Sequence, residues 1–238
     1  NIKNSSTLSI EEAYKILNNA NKILVVDAAQ SHGARIHDKG ISEYCMGASY
    51  SFYPGKNLGA MGDGGAITTN CSQLAADLRS LRNYGSTKKY VNEKIGVNSR
   101  LDPIQAAILD VKLKYLDEWN GRRNDIARIY SDAFNDLDMV TPITAEWAEH
   151  ARHLYFIRVS HRDKLISYLD KRGIQTLIHY PIPSHKQSAY VGRYKEVGPL
   201  PVAEKMASEV MSLPIGPHLN DIAVAEVTSA VRSFYGKL

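Results

Sequence analysis

Cysteines, long apolar stretches and runs of like charge are all scarce in this sequence of 238 residues. Its two cysteines, Cys45 and Cys71, are too few for a disulfide framework, and no CxxC pair indicates a zinc site. No apolar stretch approaches the length of a membrane span, and no basic-then-apolar signal segment is visible at the start. The net charge of +4 is spread along the chain. We therefore expect a protein of a reducing, cytoplasmic compartment that binds neither nucleic acid nor membranes.

A nucleotide phosphate loop is also missing. The glycine-rich segment SFYPGKNLGAMGDGGA (51–66) lacks the GxxxxGK[ST] pattern, because Asn57 follows Lys56. Glycines let the backbone approach a ligand closely, and a loop of this kind after a strand often surrounds a ligand. Lys56 is therefore a candidate Schiff-base nucleophile. The alternative is a surface lysine on a glycine-rich turn.

The pattern of apolar residues alternates between strand and helix, which predicts an α/β fold. A hydrophobic content of 44% is enough for a sizeable core. The predicted strands are 22–30, 48–53, 64–70, 153–160 and 173–181. The predicted helices are 9–20, 71–85, 161–173, 201–212 and 220–236, with a polar connection at 86–100 and a loop at 181–190.

A long helix is predicted from the Asp102-Pro103 pair, which supplies an N-cap and a first helical residue, towards Tyr130. We expect it to break at Asn120-Gly121. The character of the sequence changes near this point, which predicts one domain at 1–119 and a second domain at 120–238.

Asp27 lies towards the carboxyl end of the first predicted strand, and Ser51 lies in the second. A carboxylate at a buried strand's end can pair with a cationic ring nitrogen, or it can simply cap the following turn. Ser51 can donate its hydroxyl to a phosphate, or it can be a solvated turn residue.

The chain resembles the DegT/StrS-type sugar-nucleotide aminotransferases in four ordered segments: VVDAAQSHGA, SFYPGKNLGAMGDGGAITT, NYG…GVNSRLDPIQAA and GIQTLIHYPIPSHKQSAY. The resemblance covers essentially the whole chain. It implies a pyridoxal 5'-phosphate (PLP) enzyme of fold type I, the aspartate-aminotransferase fold. Residues 1–119 would then be the remaining part of the large PLP-binding domain, and residues 120–238 the small C-terminal domain.

The resemblance also implies roles for individual residues. Lys56 would bind PLP covalently and act as the general base, while Asp27 would pair with the pyridine nitrogen. Gln30 would lie beside the phenolic oxygen of the ring, and Ser51 would bind the phosphate. Asn98 would reach the phosphate from the neighbouring subunit, which implies a homodimer with shared active sites.

On the substrate side, the resemblance assigns His179, Tyr180 and His185 to the part of the small domain that faces the sugar nucleotide. The segment PIPSHKQSAY is similar to that of members that aminate C3 of a dTDP-linked 3-keto-6-deoxyhexose. Glutamate is the expected amino donor, and the product would serve polysaccharide or glycoconjugate biosynthesis. His32 is expected to be a local turn or hydrogen-bonding residue, with a direct substrate role as the alternative. No metal is expected.

Two alternatives remain open. Family members carry a further N-terminal portion that grips the cofactor phosphate, so the 238-residue chain alone is expected to bind the cofactor weakly. The chain would then be a non-catalytic sugar-nucleotide binding module, although such a module would not need Lys56. A PLP-dependent sugar dehydratase is disfavoured, because relatives of that kind replace the lysine with histidine.

Overall fold

The chain folds into two compact units. The computed structural model describes residues 9–190, 193 and 198–236. Unit 1 falls within Asn1–Asn120 and Thr144–Ala151, and unit 2 falls within Gly121–Ile143 and Arg152–Leu238.

Helices and strands alternate along the described residues, as the sequence predicts for an α/β protein. The helices are α1 (Ile10–Asn19), α2 (Ser72–Leu81), α3 (Pro103–Leu113), α4 (Leu116–Ala133), α5 (Arg162–Asp170), α6 (Pro201–Glu209) and α7 (Asp221–Tyr235). The strands are β1 (Val25–Asp27), β2 (Arg35–Ile36), β3 (Lys39–Gly40), β4 (Gly47–Ser51), β5 (Gly65–Thr68), β6 (Ser86–Lys88), β7 (Val91–Asn92), β8 (Ala148–Glu149), β9 (Tyr155–Arg158) and β10 (Val210–Leu213). Two short 3-10 helices cover Ile41–Tyr44 and Ser184–Lys186. None of the described helices combines the length and the hydropathy that a membrane span requires.

Unit 1 is organised around a three-stranded sheet with the order β1-β4-β5. Strands β1 and β4 are parallel, with Val25 opposite Gly47 and Asp27 opposite Ser49. Strand β5 runs antiparallel to β4 and pairs Gly65 with Ser51. Because β1 and β4 are parallel, their carboxyl ends meet at the same edge of the sheet.

The starts of two unit 1 helices follow directly from their sequence. At α1, Ser9 Oγ accepts a hydrogen bond from the Glu12 amide, and Glu12 Oε2 accepts one from the Ser9 amide. This reciprocal pair is a capping box, and it satisfies two amides that the helix leaves free. At α3, Pro103 follows the N-cap Asp102, where a residue without an amide hydrogen costs no helical bond.

The main apolar core lies in unit 2. Strands β9 and β10 pair antiparallel, with Tyr155 opposite Leu213, and α5 and α7 pack in the same core. The largest side chains that are almost fully buried there are Tyr130, Tyr155, Phe134, Ile126, Ile157, Leu165, Leu169, Met211, Val224 and Val231. Unit 1 has two smaller apolar clusters, one around Ala48 and one around Leu109.

The predicted break of the long helix at Asn120-Gly121 is wrong. The break falls between α3 and α4, at Lys114 and Tyr115, and both Asn120 and Gly121 lie inside α4. Asn120 is tolerated in the helix because its side chain finds buried partners. Gly121 costs only about 1 kcal/mol of helix propensity, which tertiary packing readily outweighs.

The predicted strand at 173–181 and the predicted helix at 201–212 also need correction. Instead of a strand, the structure describes within 173–181 an isolated antiparallel β-bridge between Leu177 and Ser212. Helix α6 ends at Glu209, and the next four residues form β10 instead. All four are buried against β9, so the short apolar run suits a core strand as well as a helix end.

The unit 2 core generates a stability prediction. Leu169 is fully buried, whereas Leu177 is 66% exposed. In the full natural polypeptide that contains these residues, Leu169→Ala should lower the free energy of unfolding by about 2–5 kcal/mol, because it leaves a cavity. Leu177→Ala, the matched control, should change it by less than about 0.5 kcal/mol. Urea denaturation measures both, and equal losses would contradict the described core.

Candidate active site

Three candidate residues lie at one edge of the unit 1 sheet. Asp27 is the last residue of β1, and Ser51 is the last residue of β4, its parallel neighbour. Lys56 lies in the loop that directly follows β4. Ligands of open α/β sheets bind at such carboxyl ends. Gln30 lies in the turn after β1, with its side chain exposed.

The loop that carries Lys56 is tightly folded. The Lys56 amide donates to the Tyr53 carbonyl at 2.9 Å, and the Ala60 amide donates to the Phe52 carbonyl at 2.7 Å. A Cβ atom on Gly59 would lie 2.3 Å from the carbonyl oxygen of Pro54. No side chain fits there, so this glycine allows the loop to fold back on itself.

Helix α3 holds the far side of this loop. Lys112 Nζ donates to the Gly59 carbonyl at 2.7 Å. Gln105 Oε1 accepts from the Met61 amide at 2.8 Å. Two side chains about two turns apart on one helix therefore bind the backbone on either side of Ala60.

The polar groups of the edge are open to a ligand. Asp27 Oδ1 accepts from the Ala29 amide at 3.0 Å, and Ser51 Oγ accepts from the Tyr53 amide at 3.2 Å. Within the described residues neither Asp27 nor Lys56 forms an ion pair. An amine, a carboxylate and a hydroxyl thus share one edge, and together they can bind an electrophilic carbon, a cationic nitrogen and a phosphate.

His32 lies buried in the wall of this site. Its ring is only 3% exposed, and it packs 5.4 Å from the Tyr50 ring and 6.1 Å from the Phe52 ring, centroid to centroid. Among the described residues, neither ring nitrogen has a hydrogen-bond partner, although the Ser51 backbone is near enough to favour the protonated ring. Burial first, and then the Lys56 ammonium, lower the pKa of His32. The sequence predicted a local turn residue and gave no indication of this burial.

Two buried amides were missed by sequence reasoning. Asn57 Nδ2 donates to Asn120 Oδ1 at 2.8 Å and to the Ala151 carbonyl at 2.5 Å. Asn120 Nδ2 donates to the His32 carbonyl at 2.8 Å. Two sequence signals could have indicated them. Asn57 directly follows the candidate nucleophile Lys56, and Asn120 interrupts the apolar pattern of a helix.

Asn98 occupies a separate part of unit 1. Its side chain is exposed, and its backbone forms an antiparallel bridge with Asn83. Neighbouring amides tie this segment to the end of α2, with Val97 donating to the Leu81 carbonyl at 2.8 Å. The backbone hydrogen bonds described for 97–99 therefore lead to α2 and its C-terminal turn rather than to the loop that carries Lys56.

The three predicted substrate residues lie in unit 2. His179 Nδ1 is 2.9 Å from Ser212 Oγ, and Tyr180 is 66% exposed. His185 Nε2 is 3.1 Å from Glu204 Oε1, and Lys186 Nζ lies 2.6 Å from Glu204 Oε2. Lys186, and then His185, lower the pKa of Glu204 to about 2. The 3-10 turn that carries His185 is thereby tied to α6 by two charged contacts.

Comparison with known proteins then identifies the family. The sequence model of the DegT/DnrJ/EryC1/StrS aminotransferase family matches residues 6–232. The chain belongs to this family. The family predicted from the four sequence segments is therefore confirmed.

Among related members of the DegT/DnrJ/EryC1/StrS aminotransferase family are two sugar transaminases. A dTDP-3-amino-3,4,6-trideoxy-alpha-D-glucose transaminase of Streptomyces venezuelae is 49% identical over 212 residues, which are 89% of this chain and 56% of that protein. A dTDP-3-amino-3,6-dideoxy-alpha-D-galactopyranose transaminase of Aneurinibacillus thermoaerophilus is 47% identical over 211 residues, which are 89% of this chain and 58% of that protein. The chain thus spans less than two thirds of the length of these family members.

A solved structure supports the same assignment. The crystal structure of S. venezuelae DesV in complex with a ketimine intermediate superimposes with a TM-score of 0.93 and 44% sequence identity. It covers 98% of this chain, which in turn covers 63% of DesV. The α/β fold of type I PLP-dependent transferases, predicted for this family member from its sequence, is confirmed.

The lowered pKa of His32 generates a pH prediction for this family member. The unfolded chain binds a proton at the ordinary histidine pKa near 6.5, whereas the folded chain binds it only at lower pH. The unfolded state therefore holds more protons below pH 6.5, and the free energy of unfolding falls as the pH drops through this window. His32→Phe should remove this component, and it breaks no hydrogen bond of the ring.

Urea denaturation of the full natural polypeptide between pH 7.5 and 5 measures the effect. The variant should gain stability relative to the wild type as the pH falls. Substitution of the exposed His161 by Phe, the matched control, should leave the wild-type pH profile intact. A His32→Phe profile parallel to that of the wild type would contradict the buried, unpartnered ring.

Proposed function

We propose that this protein is a PLP-dependent aminotransferase that transfers an amino group to a nucleotide-linked keto-deoxysugar. The observation that carries the proposal is the placement of Lys56, Asp27 and Ser51 at the shared carboxyl edge of β1 and β4. The relatives from S. venezuelae and A. thermoaerophilus are both dTDP-aminosugar transaminases, which supports the substrate class.

The residues present fit PLP. The cofactor brings an aldehyde, a pyridine nitrogen and a phosphate, and the edge offers an amine, a carboxylate and a hydroxyl. The backbone is also close-packed around the edge, since a Cβ atom on Gly65 would lie 2.8 Å from the Tyr50 carbonyl oxygen. Glycine at this position therefore allows β5 to pack closely against β4 at the edge that carries Ser51.

Each residue of the edge has a part in binding the cofactor. The Asp27 carboxylate would accept a hydrogen bond from the protonated pyridine nitrogen and so keep the ring cationic. Gln30 would donate its amide to the phenolic oxygen, and Ser51 Oγ would donate its hydroxyl to the phosphate. When bound, PLP would supply an electron sink for the electron pair at the reacting carbon.

Lys56 would perform the proton transfer. Its Nζ would hold the cofactor covalently between turnovers and would be released as a free amine when the amino donor binds. The same Nζ would then take the proton from one carbon and return it to another, as a general base followed by a general acid. The folded-back loop around Gly59 would keep this amine in reach of both carbons.

The substrate side of the proposal rests on unit 2. His179, Tyr180 and His185 would face the sugar nucleotide, and the Glu204 carboxylate would hold the turn of His185 in place. We propose C3 of a dTDP-linked keto-sugar as the acceptor carbon, since both named relatives are 3-amino-sugar transaminases. We also propose glutamate as the amino donor, as the family resemblance implies. The aminosugar would serve polysaccharide, including lipopolysaccharide, or glycoconjugate biosynthesis.

The proposal also includes a homodimer in which Asn98 reaches the partner's cofactor phosphate. The exposed side chains of Asn98, Val97 and Tyr84 support an interface at this segment. Residues 1–119 would contribute to the large domain, and residues 120–238 would form the small domain. Both cysteines are free, which supports a reducing, cytoplasmic compartment.

The covalent role of Lys56 can be tested directly. The full natural polypeptide is incubated with PLP, reduced with borohydride and digested, and the modified peptide is located by mass spectrometry. The label should appear on Lys56 and should be lost in Lys56→Arg. Lys39→Arg, which changes an exposed lysine of unit 1, should retain it. A label on another lysine, or no label at all, would rule out the proposed mechanism.

Sharing of the site between subunits calls for a complementation test. Lys56→Ala and Asn98→Asp subunits should each form dimers of low activity, because each dimer has two defective sites. A mixed dimer should recover about half of the wild-type transaminase activity, since one of its two sites combines an intact Lys56 with an intact Asn98. If the mixed dimer stays as inactive as its parents, Asn98 does not act across the interface.

A further inference from the structure

Unit 1 contains three buried polar residues that contact or lie in the loops at the sheet edge. Asn57 is 4% exposed, Asn120 is 7% exposed and His32 is 3% exposed. Polar groups are rarely buried to this degree unless they are hydrogen-bonded. Their contacts therefore indicate what they hold in place.

The contacts form one connected path. Asn57 Nδ2 donates to Asn120 Oδ1 at 2.8 Å, and Asn120 Nδ2 donates to the His32 carbonyl at 2.8 Å. Asn57 Nδ2 also donates to the Ala151 carbonyl at 2.5 Å. Asn120 thus uses both ends of its carboxamide, as an acceptor towards one loop and as a donor towards the other.

One of the two loops carries Lys56, and the other, called here the loop of Asp27, follows that residue at the end of β1. Asn57 directly follows Lys56, and His32 lies in the turn that follows Asp27 at the end of β1. The side chain of Asn120, which lies inside α4, therefore bridges the loop of the amine and the loop of the carboxylate.

The turn after β1 is shaped to admit this bridge. Gly33 has a φ of +77°, and a Cβ atom added to it would lie 2.6 Å from Asn120 Nδ2. An L-residue is both strained in this backbone conformation and too large for the space. The glycine therefore allows the carboxamide to reach the His32 carbonyl.

We propose that Asn120 is a positioning residue, whose carboxamide fixes the loop of Lys56 against the loop of Asp27. The inference rests on the proposed function, in which the two groups act on one cofactor. A buried hydrogen bond is costly to leave unmade, so this bridge resists the drift of either loop. Because small displacements of reacting groups slow a reaction strongly, the bridge should matter most for the chemical step.

The first readout needs neither cofactor nor activity. Amide hydrogen exchange, measured by mass spectrometry on the PLP-free full natural polypeptide, reports on both loops. In the loop after β1, the Ser31 and Ala34 amides are hydrogen-bonded. In the loop after β4, the Lys56 and Ala60 amides are hydrogen-bonded. In Asn120→Ala the peptides of both loops should exchange about tenfold faster or more, because one buried bridge served both.

A second variant and a control accompany it. Asn57→Ala cuts the bridge from the other end and should loosen the loop of Lys56 while the bond between Asn120 and His32 remains. Asn220→Ala removes the N-cap bond from the Ala223 amide at the start of α7 in unit 2. This change has the same chemistry and should leave both unit 1 loops at the wild-type exchange rate.

The second readout separates positioning from simple structural support. In the PLP-loaded full natural polypeptide, Asn120→Ala should lower kcat by about tenfold or more while KM for the amino donor changes less than about twofold. The double variant of Asn57 and Asn120 should lose less than the product of the two single losses, because both act through one bridge. Asn220→Ala should keep the wild-type kcat and KM.

The outcomes are distinct. Faster exchange in both loops with a selective loss of kcat supports the proposal. Wild-type exchange in either loop of Asn120→Ala, or loosened loops with wild-type kcat, overturns it. If Asn120→Ala does not fold, Asn57→Ala with wild-type kcat overturns it as well. If wild-type protein lacks transaminase activity and Lys56 is not labelled, the proposed function fails, while the exchange result still decides whether the bridge couples the loops.

Discussion

The parallel pairing of β1 with β4 is the constraint on which the candidate site depends. It places the last residues of both strands, Asp27 and Ser51, at one edge. The chain then leaves β4 in a folded-back loop that presents Lys56 beside that edge. A shift of the register by one residue would turn the side chains of a whole strand to the other face. The site therefore depends on backbone pairing before it depends on any side chain.

Around this edge, some polar side chains are exposed and others are buried. Asp27 and Gln30 are exposed, whereas Asn57 and Asn120 are buried with hydrogen-bond partners and the ring of His32 is buried without any. Exposed polar groups remain available to a ligand, and buried amides with satisfied bonds give rigidity. The arrangement keeps the candidate reactive groups accessible, while the buried amides of Asn57 and Asn120 hold the neighbouring loops in place.

Much of this could be predicted from the sequence, because the signals were local. At three places the local sequence is enough to indicate the local structure: the apolar run before Asp27, the glycines around Lys56 and the capping residues of α1. The helix break and β10 could not be predicted, because they depend on contacts between distant residues. Asn120 looked like a helix breaker, and only its partners Asn57 and His32 explain why it lies within α4.

The loop after β4 is tied at several independent points, and this has a consequence for how its sequence can vary. Lys112 and Gln105 of α3 hydrogen-bond to the loop backbone. Within the loop, the Ala60 amide donates to the Phe52 carbonyl, and the Asn57 side chain donates to Asn120. These ties act on different parts of the loop, so the loss of one loosens its own part even while the others remain. Evolutionary drift should therefore be constrained at each of these positions separately.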